Sequence, residues 1–168
     1  TKIDDPSIRV AFQATLTTGD FHGEKVITAL AYALTKYGQA TWFQTAILSS
    51  EDGSSPELLR LLLDQGTFFG KADPWKVTFL ESFSYVIGSR HQKEQINFLL
   101  NTLSLPSMEK KVKWQEAAVN GLTKGLQNSG SSTAQEKEVL TRMESDSTLK
   151  VSEKIRQLSG LYSGSPQF

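Results

Sequence analysis

The chain has 168 residues, with 18 basic and 18 acidic side chains, two histidines and no cysteine. Balanced charge argues against a nucleic-acid partner, because gripping phosphates leaves a basic excess on the domain that does it. The lack of cysteine removes disulfides, thiolate metal sites and thiol nucleophiles together, and no apolar run approaches the ~18 residues of a membrane span.

A chain of this length can bury a core of its own. It begins at Thr1 with no signal-peptide pattern, and reads as a piece of a larger protein.

The first helix is expected over about Pro6 to Thr17. Asp5 is placed as its N-cap and Pro6 at the first helical position, where the missing N–H costs nothing. Ile8, Ala11, Phe12, Thr15 and Leu16 share one face, and Gly19 supplies a stop. A second helix over about His22 to Tyr37 carries Val26, Ile27, Leu30, Ala33, Leu34 and Tyr37 at three- and four-residue spacing. The short gap between the two favours an antiparallel pair.

A third helix, about Ala40 to Ser50, holds Trp42, Phe43, Ala46, Ile47 and Leu48. After the breaker-rich turn from Glu51 to Ser55, Pro56 opens a fourth, whose leucines 58, 59, 61, 62 and 63 call for neighbours on two sides. Phe68 and Phe69 are expected to plug a gap between helices. Asp73-Pro74-Trp75 repeats the opening of the first helix and starts a fifth, to about Gly88, with Phe79, Leu80, Phe83 and Ile87 on its packed face. Asp73 is again placed as the N-cap.

The sixth helix runs from about Gln92 to Leu103, with Ile96, Leu99, Leu100 and Leu103. The seventh and longest covers about Met108 to Gln127, with Val112, Ala118, Val119, Leu122 and Leu126. The linker-like stretch 127–133 precedes Thr133-Ala134-Gln135-Glu136, which has capping-box spacing. Val139, Leu140 and Met143 follow it. The last helix is expected over about Leu149 to Leu161, and Ser163 to Phe168 are expected to fray.

No segment alternates with period two and no hairpin signal occurs. The two Asp-Pro openings lie 68 positions apart, two units of about 34, which is the length of a helical repeat. The expected fold is therefore all-α: one domain over 1–168, a HEAT-like α-solenoid or α-α superhelix of about four helix pairs. An irregular helical bundle is the alternative. Phe12, Leu30, Ile47, Leu62, Leu80, Phe83, Leu99, Val119 and Leu122 are the expected core.

The run Asp5-Pro6-Ser7-Ile8-Arg9-Val10-Ala11-Phe12 resembles the opening of a HEAT repeat. With Thr41 to Ser50, Phe79-Leu80 through Val86 to Arg90, and Ala117 to Leu122 through Gly125-Leu126, it is similar to the helical-repeat region of planctomycete-type membrane-bound dehydrogenase and haem-binding multidomain proteins. Gln44 and Val77 stand where such repeats often carry Arg. The resemblance implies the helical middle of a redox protein, between a β-propeller and a cytochrome-type module, and a periplasmic or otherwise extracytoplasmic location. It carries over no haem ligand, since the Cys-x-x-Cys-His motif has no counterpart.

Catalytic motifs are missing, and His22 and His91 are remote from each other beside helix starts, so no catalytic, cofactor-binding or metal-binding residue is assigned. The leading expectation is a non-catalytic interaction or spacer module. Its partner would be a protein or a neighbouring domain of the same chain, with no nucleic acid and no membrane insertion. The second helices of the pairs, about 22–37, 55–66, 91–103 and 133–145, would form the binding surface. Lys25, Arg60, Asp64, Lys93 and Glu94 are its candidate contacts, with Glu57, Glu136 and Lys137 exposed beside them. The alternative is a DNA-glycosylase-like domain using Trp42, Trp75 and Trp114 with Asp73. In phase with the repeat, those tryptophans read more simply as packing residues.

Overall fold

Asp5 does not cap the first helix. Its Oδ1 accepts the Ser7 N–H at 2.9 Å, a side-chain turn two residues long that competes with capping. Ser7 becomes the N-cap, and α1 runs Ile8–Thr18. The computed structural model describes residues 2–162, so the expectation for Ser163 to Phe168 lies outside the described residues. Those residues form an all-α protein of nine α-helices joined by turns and three short 3-10 segments, with no strand among them.

The helices after α1 are α2 (Glu24–Tyr37), α3 (Thr41–Leu48), α4 (Pro56–Gln65), α5 (Pro74–Arg90), α6 (Lys93–Leu103), α7 (Val112–Asn128), α8 (Ala134–Ser145) and α9 (Val151–Tyr162). Contacts gather them into two compact units that divide between Phe79 and Leu80.

In the first unit α1 packs on α3 and α2 on α4, while α2 also touches α1 and α3. Two hairpins laid side by side give this pattern. Leu30, Ile47 and Leu62 are buried as expected, but Phe12 is only half-buried, and Ile8 is 50% exposed. The late start of α1 accounts for Ile8, which sits at the rim of the first turn. Ser55 caps α4 by accepting the Leu58 N–H at 3.3 Å, with Pro56 at the first position and Gly66 left-handed at the end. Buried Gln44 donates from Nε2 to the Gly38 carbonyl at 2.6 Å. A Cβ on Gly38 would lie 2.3 Å from the Trp75 ring, so only glycine lets that indole lie across the end of α2. Phe68 and Phe69 are buried in a 3-10 turn, Phe68 edge-on to both Trp75 and Phe79.

Asp73 does precede its helix: its carbonyl accepts the N–H groups of Lys76 and Val77. Its carboxylate lies 3.6 Å from Lys71 Nζ and 3.4 Å from Lys76 Nζ.

In the second unit the C-terminal part of α5 crosses α7 at backbone distance. A Cβ on Gly121 would meet the Glu81 carbonyl at 2.0 Å, and one on Gly125 the Tyr85 carbonyl at 2.2 Å. Phe83, Leu99, Val119 and Leu122 fill the core around this crossing together with Leu80, all as expected. α9 packs on both α6 and α7 through a face that buries Ile155, Leu158 and Tyr162, while α8 touches α7 and α9. The apolar stripe of α8 is thinner, limited to Leu140 and Met143. α7 starts four residues later than the spacing suggests, after a turn over 104–111 that buries Met108.

Candidate functional site

Side chains three and four residues apart share a helix face. On α4 that rule aligns Glu57, Arg60, Leu61 and Asp64; on α2 it aligns Glu24, Ile27 and Thr28. The two faces meet in a groove of about 570 Å³, closed at one end by Gly23 and Asp52. Half-buried Ile27 and Leu61 lie between exposed charges, with Glu24, Glu57, Arg60 and Asp64 at the rims.

Asp52 is committed to local structure. Its Oδ2 accepts the Gly23 N–H at 2.9 Å, and Oδ1 lies 3.5 Å from His22 Nδ1. Gly23 enters α2 at φ +119°, which only glycine adopts freely. That backbone turn aims its N–H at Asp52 and ties the start of α2 to the segment before α4. Glu24, Glu57 and Asp64 form no ion pair among the described residues. Besides Asp52, which is tied up at its end, the groove therefore presents three carboxylates beside one guanidinium. Its field is negative and its floor is apolar.

Of the five candidate contact residues, Arg60 and Asp64 line this groove. Lys25 is exposed on α2 but outside the lining of the groove, and Lys93 and Glu94 are exposed in the first turn of α6, in the second unit. Glu24, Thr28 and Asp52 are lining residues that the sequence did not single out, while Ile27 and Leu61 were expected to pack against neighbouring helices. The α4 half was legible at its three- and four-residue spacing, whereas nothing local indicates that α2 lies opposite.

Glu136 corrects the sequence reading. Instead of standing on the surface, it is buried, and Oε2 lies 2.6 Å from His91 Nε2 and accepts the Tyr162 hydroxyl at 2.9 Å. The capping box also forms: Thr133 Oγ1 accepts the Glu136 N–H at 3.2 Å and lies 3.3 Å from Glu136 Oε1. His91, which the sequence places beside a helix start, takes a left-handed backbone (φ 53°), and its ring meets this carboxylate. Burial pushes the Glu136 carboxyl up, but the hydrogen bonds from His91 and Tyr162 outweigh it and hold it below the usual glutamate range. Burial and the facing carboxylate both push the Tyr162 hydroxyl up, so it stays protonated. Asn97 Nδ2 donates to the Tyr162 carbonyl at 2.6 Å. With both oxygens engaged, the carboxylate fastens the start of α8 to the end of α9 and to the turn between α5 and α6.

Of the tryptophans, Trp114 is buried at 2% exposure and Trp75 is half-buried against Phe68, whereas Trp42 touches Phe12 and Phe43 but is itself 42% exposed. Among the described residues, no three metal-ligating side chains converge, and no helix is long and apolar enough to cross a membrane. No family model matches the chain, and no curated protein or solved structure shows significant similarity to it.

Proposed function

We propose that this chain is a non-catalytic protein-interaction module whose α2–α4 groove takes a partner segment carrying basic residues around an apolar one. The observation that supports this reading is the disposition of Glu24, Glu57 and Asp64 around Ile27 and Leu61. Unpaired carboxylates beside half-buried aliphatic carbon leave both charge and surface to be complemented. A lysine- or arginine-bearing segment supplies both, because its long side chains are apolar along the stem and cationic at the tip. The same carboxylates would repel a phosphate backbone, which favours a protein partner over nucleic acid. The resemblance to the helical middle of multidomain redox proteins suggests a setting in which this module holds a neighbouring domain.

The test is binding of a fluorescent synthetic peptide with a Lys-Leu-Leu-Lys centre, followed by anisotropy at several salt concentrations. Glu57→Lys with Asp64→Lys should abolish binding, and Asp20→Lys, outside the groove lining, should leave it intact. Equal loss from Asp20→Lys would show unspecific charge attraction and overturn the reading.

A further inference from the structure

α1 carries a single charged side chain, Arg9, in eleven residues. A solvent-facing helix ordinarily has a charged stripe opposite its buried one, whereas a helix apolar on both sides is an interior layer. One side of α1 buries Ala11 and Thr15 in the first unit. Its other side, with part of α2 and the 3-10 segment Lys2–Asp4, lines a second groove of about 610 Å³.

That groove is built for close approach. Ala14 from α1 and Ala29 from α2 form its floor, Val10 and Ile3 border it, and Thr17 and Thr18 extend it towards the end of α1. The two threonine hydroxyls donate to the Gln13 and Ala14 carbonyls at 2.9 and 2.7 Å, so their polar atoms are satisfied within the helix. Val10 is 38% exposed, and Ile8 next to it 50%. From Arg9 to Thr18 the trough spans about 14 Å of helix axis at 1.5 Å per residue.

Its charge is one-sided. Lys2 and Arg9 line the groove, and no acidic residue does. Asp4, nearby in sequence, is taken by the Tyr32 hydroxyl and by Lys36 Nζ at 2.8 Å. Neither Lys2 nor Arg9 has an ion-pair partner among the described residues.

We infer that the groove between α1 and α2 is a docking site for an amphipathic helix of a partner, laid along α1 with its apolar ridge over Ala14 and Ala29 and a carboxylate at the Lys2–Arg9 end. An alanine floor between two helices admits a third helix at short range, and the two cations select the sign of its polar residues. This face is distinct from the acidic α2–α4 groove, so each site can fail without the other.

The experiment uses the whole chain and two synthetic helical peptides with the same leucine-alanine stripe, one carrying Glu at two flanking positions and the other Lys. Amide shift mapping locates the binding, and anisotropy measures it. The Glu peptide should bind about tenfold more tightly or better and shift residues 9–18 and 29. Ala14→Arg, which fills the trough, should abolish binding without changing the helical circular-dichroism signal, and Arg9→Glu should reverse the peptide preference. Equal affinity for the two peptides, or unchanged binding by Ala14→Arg, overturns the inference. So does a chain that dimerises by itself through this face and becomes monomeric with Val10→Asp. Laurate occupying the trough while neither peptide binds would also overturn it, by identifying a fatty-acid site.

Discussion

His91 Nε2 lies 2.6 Å from Glu136 Oε2, joining residues 45 positions apart in the sequence. Through this pair the turn after α5 is anchored to the first turn of α8. Removing the carboxylate leaves the Tyr162 hydroxyl and the His91 ring without their shared acceptor. Glu136→Ala should cost about 2–4 kcal/mol in urea unfolding at pH 7.

The same pair fixes a pH dependence. Because the folded-state pKa of Glu136 is depressed, its stabilisation is fully present above the ordinary glutamate range, about pH 4. It is lost as pH falls through the lower folded value. The stability gap between the wild-type chain and Glu136→Gln should therefore shrink on acidification below about pH 4. A gap that stays constant from pH 7 to pH 2.5 would show that Glu136 acts through packing alone.

Phe83 is 2% exposed, and truncation to Ala should cost about 3–5 kcal/mol. Phe12 is half-buried against Trp42 and Phe43, so its truncation should cost visibly less, about 1–2 kcal/mol. Denaturation midpoints at constant m-value order the two.

Two glycine substitutions should move stability in opposite directions. Gly160 lies exposed in α9 with open space where a Cβ would go, so Gly160→Ala should stabilise by about 0.4–1 kcal/mol. Gly121→Ala places a methyl 2.0 Å from the Glu81 carbonyl and should destabilise by about 1–3 kcal/mol or more. Thermal melts of the two variants should bracket the wild-type curve.

What was legible in the sequence was local. Leu30 and Leu34, or Leu99 and Leu103, announce helices by spacing, and Gly38, Pro56 and Gly66 mark their ends. Thr133 and Glu136 announced a capping box, which forms. Asp5 misled because an Asp before Pro can cap a helix or turn its own backbone, and here its carboxylate takes the Ser7 N–H two residues on. Glu136 misled because a charge in a first helical turn is ordinarily solvated. Its true partners come from a turn 45 positions before it and a helix end 26 positions after it. The α2–α4 groove was half visible for the same reason: spacing orders a face, but only packing decides what stands opposite.

The glycine crossing of α5 and α7 constrains how this protein can vary through descent. Where backbones touch, no side chain is available to absorb a change by choosing another rotamer. A larger residue at Gly88, Gly121 or Gly125 must slide one helix along the other. Sliding would pull apart Lys124 and Glu81, now 3.1 Å apart, and Asn128 and Tyr85, now at 2.8 Å. Relatives that diverge in this region should therefore change these positions jointly or not at all, and the three glycines would pass from ancestor to descendant as one inherited unit.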